Sequence, residues 1–479
     1  MPEPFRNDII DDAVAQALQL DLAFLDGPGK TRHVPFTFSP TYLETSRFEQ
    51  MRRVSLLLGV LTQRLANNSA LIDEVHAPLA GGDPFFARLL EIHRSLQQQG
   101  GPLRTRLLLQ RSDFMLDAAQ GPRLIECNSI AAGMAPFGER VGELHRYLAS
   151  RWPEEVQRWS DGHGNTTAVN NAAASMARAM EHAAQRIAGD IDDHGPLHVL
   201  LVCQDDEDNV FDQRLLENAL RERGVRTSRR SFRQLHEQLG TGPNNALRLE
   251  DVGTVHVVYL RAGYRFADYV ARDLDTRRCC DALQDTRSFI ERHRVAVNAT
   301  VAQQLATSKR MQLHLAEQGA QGFLDLGFSH EEAESLADVF SPMRRVTEES
   351  AAELRAAGDI AHWVLKNQGE GGGHCLFDED ILYMLDKLQT GNLEAWTLMQ
   401  RLRPRGRNNA TLLVRGGRAA PVDRLVSEIG VFTAHMGEEA LPAEDDYGYI
   451  GYLVRSKPPN VTEGGVHSGY GALDSLTLY

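Results

Sequence analysis

Along the first hundred residues the apolar positions recur at helical spacing, broken by the segment "HVPFTFSPTYL", where Pro35 and Pro40 forbid a helix. The period then changes. "TRLLLQRSDFML" and "RLIECNS" are short, rich in β-compatible residues and joined through a charged turn, which predicts two strands. From about Thr166 to Gly189 an alanine-rich stretch with helical spacing ends at glycine, and "DDHGP" after it marks a domain boundary. Next, "LHVLLVC", the polar loop "QDDEDN", the helix "VFDQRLLENALRERG" and "VRTSRRSF" form a strand-helix-strand unit. A hairpin at "GTGPNNALRLEDV" and the strand "TVHVVYL" complete a small α/β module from about residue 195 to 290. "AHWVL", "LLVR" and "LVSEIGVF" are further strands, and no internal repeat is present.

With 479 residues, 42% of them hydrophobic and 24% charged, the composition is globular and sufficient for two to four packed units. The longest apolar run, "VSLLLGVL", is far shorter than the roughly 20 residues that cross a bilayer. "MPEPFRNDII" has no basic region followed by an apolar one, so a cytoplasmic protein is expected, without a membrane partner. Five scattered cysteines without a CxxC pair fit a reducing compartment and speak against zinc. A net charge of -14 repels nucleic acid, but a small anion needs only a local gathering of Lys and Arg.

Such gatherings stand at strand ends. "GPGKT" at Gly27–Thr31 is a decoy: the first glycine of a phosphate loop would fall at Phe24, and "RHVPFTF" cannot be the helix that must follow. In "LIECNS", Glu126 and Asn128 are two apart on a strand and share one face, while Ile125 and Cys127 are expected on the other. A carboxylate and an amide oxygen are hard donors of the kind Mg²⁺ accepts, although a half-exposed strand carries the same pattern. In "LKNQGEGGGHCLF", Lys366 precedes Glu370 and the cluster Gly369, Gly371, Gly372 and Gly373. Glycines let backbone N–H groups approach phosphate oxygens, and the lysine adds a point charge; an ordinary turn is the competing reading. Arg111 in "RSDFM", Glu207, Asn209 and Gln213 in "EDNVFDQR", Arg261 and Tyr264 in "RAGY", and Arg455 and Lys457 in "VRSK" also fall near strand ends, where open α/β sheets hold ligands.

In this order, "PFTFSP", "IHRSL", "RSDFM", "IECNSI", "NVFDQR", "RAGY", "KNQGEGGG", "SEIG", "VRSK" and "EGGV" resemble the eukaryotic-type glutathione synthetases of the ATP-grasp superfamily, nearly end to end. The resemblance implies an α/β fold: an ATP-grasp core, an α/β substrate-binding domain and a glycine-rich lid. The implied boundaries are 1–194 for the helical region and part of the core, 195–300 for the substrate domain, 301–345 for a return to the core, 346–425 for the lid and 426–479 for the rest of the core. The implied activity is a homodimeric enzyme joining γ-glutamylcysteine to glycine with ATP and Mg²⁺. It makes Glu126, Asn128 and Glu370 the metal ligands, with Glu126 also at the nucleotide. Lys309, Lys366, Gly371, Gly372, Gly373, Phe377, Met399, Gln400, Arg401, Leu402, Glu428, Lys457 and Glu463 fall at ATP-site positions. Arg111, Ala131, Gly133, Glu207, Asn209, Gln213, Arg261, Tyr264, Arg455, Val466 and His467 fall at peptide-site positions, with Arg111, Arg455 and Lys366 expected to act in the reaction.

This chain departs from the family in three places. Phe377 stands where tyrosine is frequent, Ala131 and Gly133 stand where serines are common, and His467 replaces a small residue in a loop expected over the acceptor. A bulky His467 either fills the acceptor pocket or leaves the backbone to define it. A ligase using another acceptor such as β-alanine, or a γ-glutamyl peptide binder without activity, are the alternatives; phosphate release with both amino substrates separates ligase from binder.

Overall fold

The structure is a computed structural model that describes residues 7–100, 106–162, 167–271, 273–274, 281–369, 375–388, 390–444, 446–461, 464–467 and 470–479. Glu370, Gly371, Gly372, Gly373 and Glu463, all expected at the nucleotide, lie outside the described residues.

A nine-stranded sheet organises the fold. Its main path runs Arg418–Val422, Thr411–Arg415, Phe36–Thr37, Ala472–Asp474, Tyr449–Lys457, Val426–Met436, Leu107–Asp117 and Gly121–Asn128, and Glu439–Ala440 pairs beside it. All neighbours are antiparallel except Phe36–Thr37 with Ala472–Asp474, and Ala472–Asp474 joins the first hundred residues to the last third of the sequence. Strand alternation feeds two cores. Ile429, Val431 and Val454 face helices Thr45–Asn67, Pro84–Gln98 and Lys309–Asp325, whereas Phe432, Ala434 and Leu453 face Ala135–Arg151 and Ala172–Ile191. Burial on both faces is why "LVSEIGVF" reads as a near-continuous apolar run.

The strand-helix-strand module exists as a four-stranded parallel sheet in the order Ala296–Asn298, Val257–Leu260, His198–Val202, Arg226–Arg230. Its strands also alternate, Val199 and Leu201 toward one core and Leu200 and Val202 toward another. The expected strand "TVHVVYL" is interrupted at His256: Gly253–Val255 pairs with the hairpin below it, and Val257–Leu260 enters the parallel sheet. The helix expected from Thr166 begins at Ala172, because Asn170 is used to bridge the Tyr452 backbone, donating to its carbonyl at 2.8 Å and accepting from its N–H at 3.2 Å. A third sheet, in the order Met343–Arg345, Trp396–Gln400, Trp363–Asn367, Cys375–Leu376, is antiparallel and packs Leu365 and Leu398 against Ile381 and Leu385 of helix Glu379–Lys387. Among the described residues no helix is long and apolar enough to cross a membrane.

Helix Ala135–Arg151 lies unusually close to the central sheet at Gly138, where a Cβ would stand 2.2 Å from the Tyr452 carbonyl oxygen. Alanine favours an isolated helix over glycine by about 1 kcal/mol, but here it must push backbone from backbone, an overpacking penalty of about 1 to 3 kcal/mol or more. Gly138→Ala should therefore lower the urea midpoint; an unchanged or higher midpoint would show that helix and sheet separate freely.

Candidate active site

Strand pairing assembles the site. Arg111 lies opposite Asn128 and Asp113 opposite Glu126, so four polar side chains from two strands share one face. Cys127 is turned to the opposite face, against the helical core, as expected. Ile125 is not: a bulge shifts the register between Asp113 and Phe114, and Ile125 lines the same cavity as Glu126 and Asn128.

That cavity measures about 870 Å³ and lies between the three sheets. From the central sheet it is lined by Arg111, Glu126, Asn128, Glu428, Arg455 and Lys457. Ala131, Gly133, Glu207, Asn209, Arg261 and Tyr264 line it from the side of the parallel sheet. Lys309, Lys366, Phe377, Met399, Gln400, Arg401 and Leu402 border it toward the third sheet, and Val466 and His467 close it from the C-terminal loop. Gln213, expected at the peptide, does not line the cavity: it is buried one helical position behind Asp212, where its Oε1 accepts from the Cys203 thiol at 3.1 Å.

The floor is an ion cluster that sequence reasoning missed. Asp113, 1% exposed, accepts from Arg111 Nε at 2.7 Å and Nη2 at 2.8 Å, from Arg455 Nη2 at 3.1 Å and from Asn128 Nδ2 at 3.0 Å. Arg455 also pairs with Glu428 directly across the strands. Gly430 makes room for this cluster, since a Cβ there would lie 2.6 Å from Asp113 Oδ1 and 2.8 Å from Arg111 Cδ. The signal was present: Asp113 is two residues from Arg111 and shares its strand face. Asp212 does the same for Arg261, accepting from its Nη1 at 3.1 Å while also accepting the N–H of Met134 at 3.0 Å at the start of a helix. Gly133 leaves space for that arginine, because a Cβ there would stand 2.5 Å from its guanidinium nitrogens.

The remaining cations converge on Glu126. Lys309, at the start of helix Lys309–Asp325, donates to the Gly369 carbonyl at 2.6 Å and stands 3.7 Å from Glu126. Lys366 is buried on its strand and donates to the Ile125 carbonyl at 3.4 Å. Burial alone would raise the Glu126 carboxyl, but Lys309, Lys366, Arg111 and Arg455 hold it down at about 2. The entry to the glycine-rich segment is fixed by side chains: Gln368 accepts the Arg310 N–H at 2.9 Å and Asn367 accepts the Gly369 N–H at 2.9 Å. Phe377 sits beneath the Arg401 guanidinium, 5.2 Å from its ring centre, and Arg401 pairs with Asp378 at 2.7 Å.

Among the described residues no three His, Cys, Asp or Glu side chains gather to hold a metal. Glu126 and Asn128 nevertheless suit Mg²⁺, which takes only one or two protein carboxylates and completes its shell with water and phosphate oxygens.

Cations set around a carboxylate-amide pair at the junction of three sheets are the equipment of an α/β enzyme that binds ATP. The sequence model described as eukaryotic glutathione synthase, ATP binding domain, matches residues 5–478, and the chain belongs to that family. It is 27% identical to the glutathione synthetase of Rattus norvegicus over 99% of this chain and 96% of the relative. It is 28% identical to that of Homo sapiens over 92% and 90% of the two chains, and 29% identical to the chloroplastic enzyme of Solanum lycopersicum over 93% and 78%. Its fold is shared with a glutathione synthetase-like effector, GSS30, from Globodera pallida, at a TM-score of 0.71 and 19% identity over 98% of this chain and 96% of that one.

Two outcomes follow from the ion cluster. Arg111→Ala leaves Asp113 buried with reduced compensation, which should cost about 3 to 5 kcal/mol of stability; a urea midpoint equal to the wild type would mean Arg111 only serves the cavity. Glu126, whose carboxyl is lowered from 4.5 to about 2 on folding, contributes stability that is complete above pH 4.5 and lost as the pH falls through 2. Glu126→Gln should flatten that acid limb in denaturation midpoints measured from pH 5 downward, and an unchanged limb would contradict the ionised carboxylate.

Proposed function

We propose that this chain is an ATP-dependent ligase that joins γ-glutamylcysteine to glycine, producing glutathione, ADP and phosphate. One observation carries the reading: a single cavity has cations and the Glu126–Asn128 pair at one end, and Arg261, Glu207, Asn209 and Tyr264 at the other. The first set suits a triphosphate and the second a small zwitterionic peptide. Membership of the family supports the same reaction.

A free carboxylate is a poor electrophile and must be activated. A cysteinyl carboxylate oxygen attacks the γ-phosphorus of ATP, the bond from that phosphorus to the bridging oxygen breaks, and ADP leaves. The glycine amine then attacks the acyl carbon of the acyl phosphate. The C–N bond forms, the C–O bond to phosphate breaks, and the amine gives up a proton. No enzyme nucleophile is required, which agrees with Cys127 facing a core and the thiol of Cys203 being pushed up to about 11 by burial.

Lys309 and Lys366 would offset the charge of the transferring phosphoryl group. Arg111 and Arg455, already oriented by Asp113, would hold the reacting carboxylate and stabilise the oxyanion that develops on it. Met399 to Leu402 would receive the nucleotide base, with Phe377 beside it. Magnesium held by Glu126 and Asn128, with Glu370, would supply further neutralisation of phosphate oxygens. Water must be kept from the acyl phosphate, and the glycine-rich loop after Lys366 is the segment suited to cover it. The domain boundaries drawn from the sequence, a homodimeric state and a cytoplasmic location belong to the same proposal.

ADP release by purified protein with Mg²⁺, ATP and γ-glutamylcysteine, with and without glycine, tests the reading. Sustained release should require both amino substrates; equal release without glycine, or faster turnover with β-alanine or alanine, would overturn it. Lys366→Met should weaken ATP binding by about tenfold to a hundredfold through loss of a charge-assisted contact. Unaltered nucleotide affinity would remove Lys366 from the phosphate site.

A further inference from the structure

The segment "GPGKT" is the turn of a hairpin between Ala23–Leu25 and Thr31–His33, with Gly27 and Gly29 at φ 89° and 71°. That hairpin reaches the rim of the cavity. Phe24 is buried, its ring centre lies 4.5 Å from that of His467, and the Arg32 guanidinium stands 4.8 Å over the same phenyl ring. Asp208 ties these groups together. One of its oxygens lies 3.0 Å from His467 Nδ1, the other accepts from Arg32 Nη2 at 3.4 Å, and its carbonyl accepts the Leu25 N–H at 2.9 Å.

Position gives this contact its meaning. Asp208 stands between Glu207 and Asn209, which line the peptide end of the cavity, whereas His467 follows Val466, which is 1% exposed and lines the cavity from the C-terminal loop. The imidazole lines the cavity beside Val466 but is held at its rim by Phe24 and Asp208, with 42% of its side-chain surface exposed. We propose that the Asp208–His467 contact couples the two amino-substrate subsites: ordering of Glu207 and Asn209 around the donor peptide fixes the loop that presents Val466 to the acceptor, and acceptor binding strengthens donor binding in return. The inference rests on the subsites assigned under Proposed function. His467 is then a positioning residue and acceptor size is set by Val466 and the backbone.

Thermodynamic coupling is reciprocal, so it can be read without turnover. γ-Glutamylcysteine is titrated calorimetrically into the full chain with Mg²⁺ and a non-hydrolysable ATP analogue, with and without glycine. Glycine should tighten donor binding by about three- to tenfold, the range open to a half-exposed polar contact supported by ring packing. Asp208→Ala and His467→Ala should each bring that factor to within about twofold of unity, and the double variant should lose no more, because both changes break one contact. His467→Asn, which can still donate to Asp208, should restore part of the coupling. The ratio of kcat/KM for glycine to that for alanine should be the same in His467→Ala as in the parent. Additive losses in the double variant, or a relaxed glycine preference in His467→Ala, would overturn the coupling and make His467 a size filter. Turnover without any effect of glycine on donor affinity sinks the coupling alone, whereas absence of both binding and turnover in the parent protein sinks the assigned reaction.

Discussion

Asp113 is the fixed point of the site. A carboxylate with 1% exposure loses nearly all its hydration, and only close, well-directed partners offset that loss. Arg111, Arg455 and Asn128 supply them from three of four adjacent strands, and Gly430 on the fourth provides the space. Two guanidiniums are thereby held in one orientation before any anion arrives. Groups that do not need to reorganise during reaction are the ones that stabilise developing charge most effectively. The register of the central sheet therefore sets the geometry of the cavity, since a slip of one residue would turn Arg111 and Asp113 into the helical core.

The charge distribution follows the same logic at larger scale. A chain of net charge -14 repels polyanions generally, yet Lys309, Lys366, Arg111, Arg455 and Lys457 face one cavity. Enclosure then sorts anions by size: among the described residues these cations face a cavity that admits a ligand fitting between three sheets. Glu126 at their centre stays ionised because of them, and so remains available to an incoming cation.

Strand alternation made much of this legible. The shared face of Glu126 and Asn128, the opposite face of Cys127, the parallel module and the lysine near the end of its strand were all readable from period and residue type. The bulge that brings Ile125 to the cavity was not, because an extra residue in a strand leaves no compositional trace. Asp113 escaped notice because a polar residue on a strand reads as solvent-facing until a second layer of charge is known to cover it. Gln213 is the converse case: its neighbours in sequence line the cavity, but the helix sets it behind them. Phe36–Thr37 and Ala472–Asp474 are too short to show any periodicity, and only long-range pairing reveals them as members of the central sheet.

That last pairing bears on how the protein comes into being. Ala472–Asp474 lies between Phe36–Thr37 and Tyr449–Lys457, so the two parts of the sheet are joined through a strand made long after Phe36–Thr37. The parallel module, whose four strands lie between residues 198 and 298, has no such dependence. During translation the parallel module can therefore assemble early, while the central sheet waits with a strand edge open. A chain interrupted before Ala472 would display unpaired edges and exposed core, surfaces by which quality-control factors recognise unfinished protein.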